Sequence, residues 1–175
     1  KRLQKKLGVA ESYRSYAEML TYEKLDAVYI ATSHNYHAEN AKLCLERNIP
    51  VLVEKSFTRN AEEAQELVAL AREKNTFLME AMWTRFNPAT VKMLEMIADG
   101  VIGEVKHVKA DFCVKMPLGP KTLPWNRMYS RRLAGGALLD LGVYPIALSR
   151  MIFDRSPDKI SGSNQWAWTG VDKTS

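Results

Sequence analysis

Three short apolar runs, separated by segments of helical length, constrain this chain more than any other feature. They cover residues 26–32, 51–56 and 77–80, and the second reads Val51-Leu52-Val53-Glu54-Lys55-Ser56. Each run is rich in strand-forming residues and is bounded by polar or turn-forming ones. Between the first two, residues 37–47 place Ala41, Cys44 and Leu45 on one face of a helix. Between the second and third, Asn60 is set to cap a helix with Glu62 and Glu63 in its first turn and Lys74 near its end, matching the helix dipole at both termini. Strand, helix, strand, helix, strand predicts βαβ units around a parallel sheet. The scarcity of charge in the first run predicts a sheet covered on both faces.

The flanking segments read less regularly. Residues 1–7 have the basic tail of a helix stopped by Gly8, and Ser15 is placed to cap a short helix through Leu20. After Glu80 the pattern changes. Asn87-Pro88 opens a helix over 89–99 with Gly100 as its stop. Residues 105–114 mix apolar and polar positions in the manner of an antiparallel strand. The proline-containing, basic segment 115–132 predicts a long loop over a binding cleft. A helix over 135–153 and a strand over 160–168 complete the reading. The change of pattern puts a domain boundary near residue 102, with residues 1–102 before it and 103–175 after it.

Charge and composition remove several classes of function. The formal net charge is +5, but acids and bases are interspersed and no basic stripe is interleaved with aromatics, so nucleic acid is not an expected partner. Cys44 and Cys113 have no C-x-x-C spacing and read as small buried hydrophobes in a reducing compartment. His34 and His37 lie close together without a third ligand at metal spacing, so no metal site is expected. No run approaches the roughly 18 apolar residues of a membrane span, and no signal-peptide pattern is present. A cytoplasmic protein without a membrane partner is the expectation.

Chemistry enters at the strand ends. In an open parallel sheet, ligands bind outside the carboxyl ends of the strands, which is where Glu54 and Lys55 fall. The same pair, taken alone, reads first as a solvated surface pair just past a strand end. Asp140 and Tyr144, four residues apart in the segment that starts Gly135-Gly136, share one face of a continuous helix. Pro145 removes that helix's bond to Leu141 and predicts a kink. Ala31, Thr32, Ser33 and His37 end a strand and open a helix, where backbone N–H groups meet ligand oxygens or where Thr32 or Ser33 simply caps.

These stretches together resemble the glucose-fructose oxidoreductase / inositol dehydrogenase (Gfo/Idh/MocA) family, nearest its dihydrodiol and pyranose dehydrogenases. The resemblance is carried by residues 28–32 followed by His37, by Glu54-Lys55, by residues 79–88 from Met79 through Trp83-Thr84-Arg85 to Pro88, and by residues 134–145. Gly170-Val171-Asp172 matches a further family position. It implies an α/β fold with part of a Rossmann-like parallel sheet, followed by the start of an α+β domain whose sheet is largely antiparallel. It also implies hydride transfer between a nicotinamide and a hydroxyl-bearing carbon of a sugar or diol. NAD or NADP would be the cofactor, the branch favouring NADP, and a homo-oligomer would form through the C-terminal sheet. A regulatory sensor of the same fold is the alternative, and it would be expected to lack the Lys55 and Tyr144 pair.

Residue by residue, the resemblance makes Tyr144 the acid/base, with Lys55 orienting the substrate oxygen and tuning Tyr144. Asp140 completes the catalytic set. Ala31, Thr32, Ser33, His37, Glu54, Lys55, Trp83, Arg85 and Arg127 fall on the cofactor side. From the residues alone, Trp83 reads equally as a core Trp and Arg85 as a surface Arg, while Arg127 reads first as a solvated loop Arg. Three departures stand out. The family's first strand and G-x-G-x-x-G loop are not in this sequence, which predicts weak binding of NAD(P) by the chain on its own. The chain is also expected to stop short of the family's C-terminal sheet. Finally, Ser56 stands where the family has a proline, which would fix φ and make a cis peptide cheap.

Overall fold

The computed structural model describes residues 6–21, 25–115 and 126–175. Three parallel strands form its central sheet: β1 (Val28–Ile30), β2 (Val51–Glu54) and β3 (Leu78–Ala81), in the order β1-β2-β3. Val28 pairs with Val51 and Ile30 with Val53, and on the other side Val53 pairs with Glu80 and Glu54 with Ala81. That register brings the carboxyl ends of all three strands, and hence Ala31, Lys55 and Met82, to one edge.

The helices follow from their caps. Ser15 Oγ accepts from the Glu18 amide at 3.1 Å to open α1 (Tyr16–Met19). Helix α2 (His37–Leu45) joins β1 to β2. Helix α3 (Ala61–Glu73) joins β2 to β3, and the Asn60 side chain accepts from the Glu63 amide at 2.9 Å. Glu63 in turn binds the Arg59 side chain and accepts from its amide at 3.0 Å, so the first turn is tied reciprocally. Both crossovers step the same way along the sheet, which puts α2 and α3 on one face and in contact with each other. The core lies between them: Ala41, Leu45, Val51 and Val53 are at 0% exposure, joined by Ile30, Cys44, Leu67 and Ala71.

Among the described residues, the expected cover on both faces is therefore met on one face only. Tyr29, which points the other way along β1, is 56% exposed.

Beyond β3 a 3-10 turn (Trp83–Phe86) leads to α4 (Pro88–Ala98), with Asn87 accepting from the Ala89 amide at 2.9 Å and Pro88 at the first position. Residues 104–115 are irregular and belong to no ladder, contrary to the expected strand. A strand exists only against a partner, and none of the described residues pairs there. Cys113, expected to be buried in that strand, is exposed. Residues 126–132 of the expected loop form 3-10 turns, Arg127–Tyr129 and the start of Arg131–Leu133; residues 116–125 lie outside the described residues, as do 1–5 of the expected N-terminal helix tail.

The expected helix over 135–153 is present, opening at Ala137 and passing through a π turn (Leu138–Gly142) into α5 (Val143–Phe153). The Val143 amide donates back to the Leu138 carbonyl, a ring one residue wider than α. Pro145, which has no amide to donate, follows in the turn after this widening, and the helix continues through it. The expected strand over 160–168 shrinks to β4 (Gln165–Trp166), which pairs antiparallel with β5 (Asp172–Thr174).

By length and composition, Arg131–Phe153 is long and apolar enough to cross a membrane, with 23 residues and a hydropathy of 1.3, which the sequence reading did not expect. It is not one continuous helix: Ala134 is left-handed at φ 54 and Gly136 stands at φ 124, and Asp140 within it is ion-paired to Lys55.

Candidate active site

Lys55 follows the last residue of β2 and points across the strand ends to the π turn. Its ammonium donates to the Asp140 carbonyl oxygen at 2.6 Å and to Asp140 Oδ1 at 3.1 Å. The same ammonium lies 5.0 Å from the centroid of the Tyr144 ring, within cation–π range. The Lys55–Ser56 peptide is cis.

Asp140 is the hub of this arrangement. Its side chain is 6% exposed, and a carboxylate that deep needs cationic partners to hold its charge. Besides Lys55 it accepts from Arg127 Nη1 at 3.3 Å. His34 Nε2 stands 3.8 Å from the same oxygen. The opposite nitrogen, Nδ1, donates to the Ala134 carbonyl at 2.8 Å, which fixes the tautomer and leaves Nε2 bare in the neutral ring. Burial pushes the His34 imidazole below its ordinary range, and the Arg127 guanidinium and His37 add to this; the bond to Ala134 and the Asp140 charge act against it. His34 is thus a neutral neighbour of Asp140 rather than a third cation.

Tyr144 sits on the same side of the widened helix. Its hydroxyl oxygen accepts from the Trp83 indole N–H at 3.0 Å. Trp83 and Phe112 both pack edge-on to its ring, at centroid distances of 6.0 and 5.1 Å. A cavity of about 200 Å³ opens beside the ring, lined by Trp83, Thr84, Phe112, Tyr144, Pro145 and Leu148 among others. Its walls are mainly aromatic and aliphatic, with the Tyr144 phenol, Asp111, Thr84 and Thr90 as polar groups among them, the composition expected of a small-molecule site.

The cofactor-side residues divide. His37 is fully buried, with Nδ1 2.7 Å from the Ser56 carbonyl oxygen and Nε2 3.1 Å from that of Thr32, so it straps the turn after β1 to the turn after β2. Thr32 Oγ1 also receives the Asn40 side chain at 3.4 Å. Ser33 opens the 3-10 turn His34–Tyr36 without a side-chain capping bond, so of the two capping readings neither hydroxyl caps a helix there. Ala31 is exposed at the strand end.

Glu54 is engaged elsewhere: it accepts from the Tyr29 hydroxyl, and from the Lys55 amide at 3.1 Å. Arg85 is exposed, and its charge bears on Glu80 rather than on the Lys55 cluster. Burial pushes the Glu80 carboxyl up, while the Phe57 amide, Arg85 and His37 oppose it and Glu54 adds to it. The structure thus brings together Lys55, Asp140, Tyr144, Trp83 and Arg127, with Ala31, Thr32, Ser33 and His37 along the neighbouring edge. Sequence reasoning weighed His34 only as a metal ligand and passed over Phe112. The signals were slight: a second His three residues before His37, and an aromatic in a run read as a strand.

Comparison with known proteins places the chain in a family. Residues 1–82 match the model of an oxidoreductase family with an NAD-binding Rossmann fold, and residues 90–174 match the GFO/IDH/MocA C-terminal domain. The chain belongs to the GFO/IDH/MocA family. Among its relatives, the trans-1,2-dihydrobenzene-1,2-diol dehydrogenase of Mus musculus is 39% identical over 170 residues, covering 97% of this chain and 49% of that protein. The NADP(+)-dependent D-xylose 1-dehydrogenase of Hypocrea jecorina is 39% identical over 176 residues, covering 94% of this chain and 45% of its own length. A solved family structure, a 3-ketoreductase from Actinomadura kijaniata in complex with NADP and TDP-benzene, superposes with a TM-score of 0.75 at 33% identity over 87% of this chain and 45% of that one. The chain spans about half the length of these relatives. The expected resemblance and the Rossmann-type α/β fold are both borne out.

Proposed function

We propose that the protein containing this chain is an NAD(P)-dependent dehydrogenase acting on the CH–OH group of a small diol or sugar, with Tyr144 as its acid/base. The observation that carries the reading is the meeting of Lys55, Asp140 and Tyr144 beside an aromatic cavity at the carboxyl edge of a parallel sheet. The kinship with dihydrodiol and xylose dehydrogenases supports the substrate class.

The residues present suit a nicotinamide nucleotide. Asn35 Oδ1, in the turn after β1, is buried without a hydrogen-bond partner and offers an acceptor to a donor on a bound group. Ala31, exposed at the end of β1, leaves that strand end open. Ala31, Thr32, Ser33, Trp83, Arg85 and Arg127 would hold the cofactor, with His37 fixing the two turns that frame it. Glu54 joins this set only by exchanging its bond to Tyr29. When bound, the nicotinamide accepts or gives the hydride.

The chain's own residues handle the proton. The Tyr144 oxygen is held by the indole N–H of Trp83, so its hydroxyl proton is free to pass to or from a substrate oxygen in the cavity. Lys55 keeps a positive charge beside the ring while that proton is away. Asp140 holds the Lys55 ammonium, through carbonyl and carboxylate together, over the ring rather than in solvent.

Within this reading the site lies between two domains that meet near residue 102. Assembly through the C-terminal sheet is supported by Trp166 and Trp168, 64% and 80% exposed on the β4–β5 hairpin, and a cytoplasmic location by two free cysteines. The test is oxidation of trans-dihydrobenzenediol and D-xylose with NADP+ and NAD+, for wild type and Tyr144→Phe. Turnover should fall by about 10²–10⁴-fold, the usual weight of acid/base catalysis, with nucleotide affinity unchanged. Near-wild-type turnover in Tyr144→Phe would overturn the assignment, and nucleotide binding with no turnover of either substrate would favour the sensor.

A further inference from the structure

The helix that carries Asp140 and Tyr144 has no cap of its own. Its N-terminal residue outside the helix is Gly136, whose carbonyl accepts from the Asp140 amide at 3.1 Å but which has no side chain to offer the first free amides. The missing acceptor comes from the far end of the chain. Asp172 Oδ2 accepts from the Leu138 amide at 2.6 Å and from Ser175 Oγ at 2.7 Å.

Two further observations show that the place is built for this carboxylate. A Cβ on Gly136 would overlap Asp172 Oδ1, and one on Gly135 would overlap the carbonyls of Arg127 and Met128, so both glycines are required by close approach. The hairpin that presents Asp172 is itself anchored: Val171 is 3% exposed, and the Ala167 amide donates to its carbonyl at 2.8 Å. The charge also has the sign that a helix N-terminus favours. The turn it pins is the widened one, and in that turn Asp140 meets Lys55 two residues after Leu138.

We infer that Asp172 is a positioning residue for the site: by capping the π turn from the β4–β5 hairpin it sets the direction of Asp140 towards Lys55 and of Tyr144 towards Trp83. The inference rests on the acid/base reading of Tyr144, but it has a readout that does not. In the intact protein, Asp172→Ala should speed hydrogen exchange of the Leu138 amide by about five- to tenfold, the usual weight of a lost cap. It should speed exchange of the Trp83 indole N–H as well, because that bond depends on where Tyr144 points.

With active wild type, kcat should fall by about 10- to 100-fold, the cost of a small misplacement, while KM for the nucleotide stays put. Asp172→Asn, which keeps an acceptor, should restore exchange and kcat together. Should Asp172→Ala fail to fold, Asp172→Ser takes its place, since its hydroxyl is one bond shorter and falls short of the Leu138 amide; equal Trp83 protection and equal kcat in Asp172→Ser and Asp172→Asn would overturn the inference. Faster exchange at Leu138 with unchanged Trp83 exchange and unchanged kcat would make Asp172 a cap only and overturn the inference. Absence of turnover in wild type would sink the dehydrogenase reading, and Trp83 exchange alone would then decide the role of Asp172.

Discussion

The indole N–H of Trp83 donates to the hydroxyl oxygen of Tyr144 at 3.0 Å, tying the turn after β3 to a helix 61 residues further on. The bond uses one lone pair of the oxygen and none of its proton. Trp83→Phe keeps the aromatic edge against Tyr144 but removes the donor. Given a net worth of about 1 kcal/mol for such a bond, turnover should fall about fivefold with little change in KM. Steady-state kinetics with a diol substrate checks this, and an unchanged kcat would show that the oxygen needs no second anchor.

Asp140→Ala should destabilise the fold as well as the activity. It leaves the Lys55 ammonium, 13% exposed, without a carboxylate. Removing one partner of a buried pair typically costs about 3–5 kcal/mol. Because Lys55 keeps the Asp140 carbonyl at 2.6 Å, the loss should sit at the low end, about 3 kcal/mol. Urea midpoints of wild type and variant measure it. Lys55→Met with Asp140→Leu should recover part of the stability and none of the turnover.

His34 gives stability a pH dependence of known sign. Its imidazole titrates below its ordinary range in the fold, chiefly through burial. Between its ordinary value of about 6.5 and the lower folded value the unfolded chain binds more protons, so the contribution is present above about pH 6.5 and is lost as pH falls through that window. Glu80, pushed up by burial, acts with the opposite sign: its penalty grows as pH rises from the ordinary carboxyl range towards its folded value. His34→Gln should therefore flatten the fall in urea midpoint below pH 6.5 and leave the Glu80 contribution in place. An unaltered slope in the variant would mean that His34 is not the group that titrates.

The parts legible in the sequence are those that local chemistry decides. Asn60, Asn87 and Pro88 mark helix starts because their side chains satisfy or dispense with amides within their own turn. The β2 run is recognisable because Val51 and Val53 are both buried on one face. Lys55, Asp140 and Tyr144 are legible as one set through the family resemblance and not from local pattern, and the structure brings them to one point. What was not legible depends on distant partners. The carbonyl that fixes the His34 tautomer belongs to Ala134, 100 residues away. The engagement of Glu54 depends on Tyr29, whose exposure no local pattern reveals. Residues 104–115 carry strand-like residues but find no ladder, because pairing is a property of two segments and not of one. The π turn before Pro145 absorbs a residue that local rules read as a kink.

The sheet and the site are assembled on different scales of chain separation. Neighbouring strands β1, β2 and β3 are also neighbours in sequence, so the βαβ unit closes only short loops. The bonds from Lys55 to Asp140 close a loop of 85 residues, and the one from His34 to Ala134 closes 100. Each doubling of loop length costs only about 0.6 kcal/mol more, so these long closures are a modest entropic burden on the fold. Contacts formed after the rate-limiting step leave the folding rate unchanged and govern the unfolding rate. If the Lys55–Asp140 link forms after that step it acts as a latch, and Asp140→Ala should then leave the folding rate unchanged and speed unfolding, which a denaturant-jump series measures.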